Sequence, residues 1–415
     1  MTLTKHIFSY SAANIINSAV PFLLLPILTR YLAPEEYGVL SLIQMMFTLA
    51  LPFVLMNVHG LFTIEYSKLS FEEMSELIST MIWIPVGGFV VLQVIFFLFG
   101  DFVANFLSIP VKWVYFTPLI VLTQSIPAML PVLFQAKKEP LNYAYFKVLL
   151  TVVNLGLSLF FVVSLLQGYE GRLWGIFWSH LIFTLVGLIV LYRMNYLRLQ
   201  LSYAKIKEAL AFGVPLIPHV LAGVLLSMSD RIFLAKMLDA SAVGIYSVAF
   251  QLSSAVMIVM TSINQAWIPH LFEKLNSNPS IKEKKEIVVQ TYKIMGIMSL
   301  IAVAFIIVVP YIYSVFIDEK YFEGINLARV VAIGFMFQGF YFMVTNYIFY
   351  TKKTHLLSMM TMFAAGFLML LNYMLIPMFG MYGSAYAVIV GYFFMFVLTW
   401  VLASKIYTMP WRLKI

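Results

Sequence analysis

The sequence predicts an all-α polytopic membrane protein of about twelve transmembrane helices, built as two six-helix lobes related by a pseudo-two-fold axis. Three observations predict it. The composition is 62% hydrophobic and only 11% charged, whereas a soluble domain is roughly half apolar and about a quarter charged. Apolar stretches long enough to cross a hydrocarbon core of about 30 Å recur along the whole chain. The order of motifs in the first half returns in the second.

The predicted spans of the first lobe lie at about 7–29, 37–59, 77–99, 113–134, 141–166 and 173–192. Those of the second lie at about 207–229, 241–268, 287–316, 325–350, 355–377 and 381–404. The lobes are therefore 1–192 and 207–415, with a cytoplasmic linker at 193–206. The N-terminal residues Met1 to His6 run directly into an apolar segment with no small-residue cleavage pattern. A retained first span is expected there, not a signal peptide.

Basic residues set the expected orientation. With a cytoplasmic N-terminus, the inside segments hold Lys5, Lys68, Lys137, Lys138, Arg193, Arg198, Lys205, Lys207, Lys274, Lys282, Lys284, Lys285, Lys352, Lys353, Lys405, Arg412 and Lys414. The outside segments hold Arg30, Lys112, Arg172, Arg231, Lys236 and Lys320. This bias obeys the positive-inside rule, and an even number of spans returns the C-terminus to the cytoplasm. The net charge of +8 then reflects loops beside anionic lipid in the cytoplasmic membrane, and nucleic acid is not expected as a partner. The chain contains no cysteine, which excludes disulfides, zinc–thiolate sites and thiol catalysis.

The repeat is legible without gaps. Arg30 to Ser41, containing Gly38, aligns with Lys236 to Ser247, containing Gly244. Gly171-Arg-Leu-Trp-Gly175 and Gly380-Met-Tyr-Gly383 occupy matching turns, as do Lys137-Lys138 and Lys352-Lys353. Both halves start on the same side, so the repeat is parallel, about an axis along the membrane normal. The segment Leu61 to Glu76 is predicted as a helix lying in the interface. Glu273 to Glu286 corresponds to it, and the basic linker Arg193 to Glu208 is expected on the membrane surface. The outside loops are short.

Two stretches carry a family resemblance. Phe212-Gly-Val-Pro-Leu-Ile-Pro-His219-Val-Leu-Ala-Gly223, followed by Ser229-Asp230-Arg231-Ile, resembles a recurrent segment of the polysaccharide-transporter family, the Wzx-type O-antigen and oligosaccharide flippases. Asn14 to Tyr31, with Pro21, Pro26 and Thr29-Arg30-Tyr31, followed by Tyr37-Gly38, resembles that family's N-terminus. The larger group includes multidrug exporters of the MATE fold and lipid II flippases. The resemblance implies two lobes around a central cavity that opens alternately to each side. It implies an undecaprenyl-diphosphate-linked glycan as substrate, and glycan polymerase and assembly proteins as neighbours.

The chemistry of such a substrate selects candidate residues. A diphosphate and sugar hydroxyls cannot enter hydrocarbon without replacement of their water, and arginine and lysine suit the anion. Lys147, Lys293 and Arg329 fall within spans; they either line a cationic cavity or snorkel to the interface. His219 is either a proton-sensitive headgroup ligand or a neutral interhelical residue. It follows Pro215 and Pro218, which free backbone carbonyls and with Pro21 and Pro26 are candidate hinges. His59 and His180 are expected to be structural or interfacial. Adjacent helix positions do not face each other, so Asp230 and Arg231 are expected to find different partners. An Asp230–Arg30 gate joining the lobes is one reading, and solvated charges are the other. Asn14, Asn17, Gln44, Asn57, Gln124, Asn264, Gln265, Gln338, Asn346 and Asn372 either meet sugar hydroxyls or bond between helices.

Three functions compete: a lipid-linked oligosaccharide flippase, an exporter of small amphipathic cations, and a membrane glycan polymerase or ligase. The basic charges within spans disfavour the second, and the short outside loops disfavour the third. No Gly-x-x-x-x-Gly-Lys-Ser/Thr loop is present, and no cofactor or metal is expected. Coupling then falls to a gradient of H+, Na+ or the substrate itself. The expected oligomeric state is a monomer held among membrane lipids.

Overall fold

The computed structural model describes residues 20–198 and 201–412, and all its regular elements there are helical. Among the described residues 11 helices are long and apolar enough to cross a membrane, and a shorter apolar helix covers Val20–Tyr31. Each predicted span meets one of these helices. Residues 7–19 of the first span lie outside the described residues, as do Asn14, Asn17, Lys5, Leu199 and Lys414. Large apolar side chains point outward along the helices, as lipid contact requires: Phe97 is 76% exposed, Phe102 70% and Val315 71%.

The chain divides into two compact units, Met1–Val224 and Leu225–Ile415. In the first, α1 (Val20–Tyr31) leads to α2 (Pro34–Leu55), which has proline at its first position, where no N–H is needed. Two short helices, α3 (Gly60–Glu65) and α4 (Phe71–Met81), precede α5 (Trp83–Leu107). One span is then made of α6 (Val111–Thr123) and α7 (Ser125–Ala136). The last two long helices are α8 (Pro140–Leu159), ending in a π-turn at Phe160–Ser164, and α9 (Gly168–Arg193).

The segment 61–76 is not an interfacial helix. Leu61, Phe62 and Met74 are buried in a core cluster with residues of α7, α8 and α9. The reason is the turn before α4, where Ser70 and Glu73 form a reciprocal capping box that starts a new helix and aims Met74 inward. The linker also packs on the first unit. The Ser79 hydroxyl donates to the Tyr196 carbonyl at 2.7 Å and accepts from the Arg198 N–H at 2.7 Å. Tyr196 is buried, while Leu201 and Tyr203 stay exposed.

The compact units part later than the predicted lobes do. Helix α10 (Tyr203–Gly213) contacts α3 and α4, so it belongs to the first unit. It ends where Gly213 presses on α2: a Cβ there would sit 1.8 Å from the Met56 carbonyl oxygen. A 3-10 turn, Val214–Leu216, holds Pro215 and leads into α11 (Ile217–Met237), whose second residue is Pro218.

In the second unit α12 (Ala240–Asn276) and α13 (Ile281–Phe316) are long rods. Helix α14 (Gly324–Tyr350) packs against α12, α13 and α16 (Met381–Ile406), and α15 (Thr354–Phe379) packs on α16. Both halves reuse the same punctuation. The aligned residues Pro34 and Ala240 each open a helix. Ser280 and Glu283 repeat the capping box of Ser70 and Glu73. Lys138 and Lys352 both adopt a positive φ of 58° in the matching basic turns.

Candidate functional site

In the first unit, α8 and α9 approach closely through small residues. Gly171, Gly175 and Ser179 recur every fourth position and so share one face of α9. A Cβ on Gly171 would lie 2.8 Å from the Phe161 carbonyl carbon, and one on Gly175 would lie 2.5 Å from the Ser158 Oγ. Such small-residue stripes let backbones meet within a membrane. The widened π-turn at the end of α8 faces Gly171, a local irregularity often found at functional positions.

This contact places polar groups within bonding distance. The Asn154 amide donates to Ser179 Oγ at 2.7 Å. Its carbonyl oxygen accepts from Arg172 Nη1 at 2.6 Å, and Ser158 Oγ accepts from the same nitrogen at 2.5 Å. No carboxylate lies within 4.0 Å of the Arg172 guanidinium among the described residues.

Opposite this network, the span of α6 and α7 is broken at Gln124. Pro127 has no N–H to give the Thr123 carbonyl one turn back, and Thr184 Oγ1 of α9 donates to that oxygen at 2.5 Å. A cavity of about 320 Å³ results, bounded by Val20, Pro21, Gln44, Phe47, Thr48, Gln124, Leu150, Thr151, Asn154, Arg172, Ile176 and His180. Among the described residues its lining carries one cation, three side-chain amides and two threonines, with no carboxylate. His180 Nδ1 lies 2.8 Å from the Ile176 carbonyl, a pure acceptor, so that nitrogen carries the proton. With a rise of 1.5 Å per residue, the polar lining on α9 runs from Arg172, about one turn inside the helix, to His180, two turns deeper.

A second cavity of about 450 Å³ lies at the start of α9, lined in part by Glu36, Gly168 and Glu170. Its two carboxylates are engaged: Glu36 accepts from the Ala33 N–H at 3.0 Å, and Glu170 pairs with Lys112.

The second unit contains a buried ion pair. Asp230 and Arg231 are 3% and 7% exposed, and Arg231 Nη1 donates to Asp230 Oδ1 at 2.8 Å. The expectation of separate partners is corrected here. The long arginine side chain folds back to its neighbour, reaching the Ser227 carbonyl at 3.2 Å and covering the Phe250 ring at 4.8 Å. Helical spacing separates the Cβ atoms of adjacent residues but does not bound the reach of a guanidinium.

The other predicted residues are dispersed. Lys147 is half-buried on α8 and donates to the Tyr143 hydroxyl at 3.1 Å. Lys293, His219, Pro215, Pro218 and Arg30 are exposed. Arg329 donates to the Ile306 carbonyl at 3.2 Å and to Asn326 at 2.8 Å. Pro21 borders the cavity and Pro26 is half-buried in α1. Gln44 and Gln124 line the cavity, whereas Asn264 bonds to Asn346 at 2.8 Å and Asn372 to Ser384 at 2.7 Å, between helices.

The sequence places Arg172 in an outside loop because Gly171-Arg-Leu-Trp-Gly175 reads as a turn; in the structure it lies within α9. The signal that identifies it is the four-residue spacing of Gly171, Gly175 and Ser179, a helix-contact stripe. A Gly175→Val substitution is expected to lower stability by about 1–3 kcal/mol, because its side chain must push Ser158 and α8 away. Thermal unfolding of the purified protein checks this, and an unchanged melting temperature would remove the α8–α9 contact as the site's support.

Similarities to known proteins follow this architecture. The family described as "Polysaccharide biosynthesis protein" matches residues 3–274, and the MatE family matches residues 215–374. A curated relative from Haemophilus influenzae (strain ATCC 51907 / DSM 11121 / KW20 / Rd), named "Lsg locus putative protein 1", is 26% identical over 377 residues, covering 86% of this chain and 87% of the relative. A multidrug resistance MATE family transporter of the MOP superfamily, solved in an inward-facing conformation, superposes with a TM-score of 0.72 at 14% identity, over 94% of each chain. An outward-facing structure of such a transporter gives 0.58 at 13% identity, over 97% of this chain and 95% of that one. The chain thus has the all-α, multi-pass membrane fold of the MATE transporters.

Proposed function

The chain belongs to the polysaccharide biosynthesis protein family, and from that premise we propose that it is a flippase carrying an undecaprenyl-diphosphate-linked oligosaccharide from the inner to the outer leaflet of the cytoplasmic membrane. The observation that carries this reading is the carboxylate-free guanidinium of Arg172 in a polar cavity within an apolar bundle. A buried charge in a membrane is costly and is retained where it serves a solute or ion. Arg172 supplies a forked donor for an anionic group. Gln44, Gln124, Asn154, Thr48 and Thr151 supply the mixed donors and acceptors that hydroxyl-rich sugars need. Lys147 and Lys293 add positive charge on α8 and α13. The isoprenoid stays in the bilayer, where it loses nothing.

Alternating exposure of the headgroup by motion of the two halves follows the mechanism common to repeat-built transporters. The broken segment around Pro215 and Pro218 is the assigned hinge. Both termini are cytoplasmic in this reading. The MATE fold alone also suits export of small amphipathic cations. A site for those would present carboxylates, and the cavity lining presents none.

The test is reconstitution in vesicles with a fluorescent lipid-linked oligosaccharide, following accessibility of the label to an impermeant quencher. Protein-dependent transfer between leaflets is expected. Vesicles that expel a lipophilic cation but leave the glycan lipid in place would reverse the choice of substrate.

A further inference from the structure

The end of the second unit carries a pocket of its own. After α16 stops at Ile406, the segment 407–412 turns back over the bundle. The Tyr292 hydroxyl donates to the Trp411 carbonyl at 2.8 Å, and the Trp411 ring packs against Tyr347 and Trp400 with centroids 5.5 and 5.6 Å away. Lys284 reaches the same segment, donating to the Thr408 carbonyl at 3.4 Å and sitting 5.0 Å from the Tyr407 ring centroid.

The fold-back borders an open pocket of about 690 Å³ whose lining among the described residues includes Trp400, Ser404, Lys405, Trp411 and Arg412, and no acidic residue. No carboxylate lies within 4.0 Å of Lys284, Lys405 or Arg412 among the described residues. The Trp411 indole N–H is buried and has no hydrogen-bond partner among them. An apolar track leads to this pocket. Val390, Phe393 and Val401 are 41%, 47% and 51% exposed, and with half-buried Val397 they follow the three- and four-residue spacing of one helix face. That face ends at Lys405.

We propose that this pocket binds the headgroup of an anionic phospholipid, with an acyl chain lying along the Val390–Val401 face of α16. The two cations meet the phosphate and the second anionic or polyol part of the headgroup through charge-assisted donors. The tryptophans occupy the interfacial level where their rings are favoured. A zwitterionic lipid would bring its own cation against Lys405 and Arg412, and the lining has no carboxylate to receive it. Basic pockets at the ends of spans are suited to anionic headgroups for the same reason.

The experiment uses the purified full chain exchanged into mixed micelles containing equal amounts of phosphatidylglycerol and phosphatidylcholine, with retained lipid counted by native mass spectrometry. At roughly fivefold per basic residue, the protein is expected to retain phosphatidylglycerol on the order of 25-fold over phosphatidylcholine. Lys405→Gln with Arg412→Gln is expected to bring that ratio close to one, while Lys405→Arg with Arg412→Lys keeps it. Thermal melts in phosphatidylcholine alone are expected to coincide for all three proteins, since no ion pair is broken. Equal retention of the two lipids by the unaltered chain overturns the proposal. So does a preference that survives removal of both charges, or one lost in the charge-keeping variant.

Discussion

Arg172→Gln is expected to lower delivery of lipid-linked glycan roughly 10- to 100-fold while the protein remains folded and abundant in the membrane. The size follows from losing a charge-assisted hydrogen bond to an anion, about 1.5–3 kcal/mol, at 1.4 kcal/mol per tenfold. The direction of the stability change separates binding from scaffolding. Among the described residues Arg172 donates to neutral groups, Asn154 and Ser158, so its charge has no counter-ion among them to strand. Glutamine can still donate to one of them. Removing a desolvated charge then costs little stability or raises it. Arg172→Lys keeps the charge but not the fork and is expected to fall between the two. The measurements are leaflet transfer in reconstituted vesicles and a thermal melt of the same preparation. A glutamine variant that transfers glycan at the unaltered rate would remove Arg172 from the site. A variant that melts far below the parent would make Arg172 a scaffold residue.

Asp230→Asn is expected to destabilise the second unit by about 3–5 kcal/mol, because it leaves the buried Arg231 guanidinium without its counter-charge. The pair is held at 2.8 Å with both side chains nearly inaccessible, so solvent screening does not soften the loss. The Phe250 ring, 4.8 Å from the guanidinium, returns only a part of it. The double substitution Asp230→Asn with Arg231→Met is expected to recover most of the stability, since an apolar replacement of a whole buried pair is often close to neutral. Thermal unfolding in detergent reads both. A single variant that melts within a degree of the parent would show the pair to be hydrated and energetically minor. The expected Asp230–Arg30 gate also changes meaning, because one oxygen of Asp230 already serves Arg231 within its own unit.

The membrane class, the span positions and the internal repeat were legible from the chain alone. Apolar run length and turn chemistry are local properties, and they placed each span from Pro34 onward on its helix, with ends that differ by up to eight residues, as at Leu107, Met237 and Asn276. The aligned starts at Pro34 and Ala240 and the twin capping boxes at Ser70 and Ser280 show how far local rules reach. Tertiary packing decided which polar side chains meet. Lys147 and Lys293 stand out because they interrupt apolar runs, yet the cavity gathers Arg172, Gln44 and Asn154 from three helices and Gln124 from the break between α6 and α7. Run length counts residues in sequence, whereas a cavity is made where Gly171 and Gly175 let α9 touch α8 and where Pro127 frees the carbonyl of Thr123. The hydrogen bonds around that cavity join residues 14 to 61 positions apart, a distance over which hydropathy and spacing carry no information about which side chains meet.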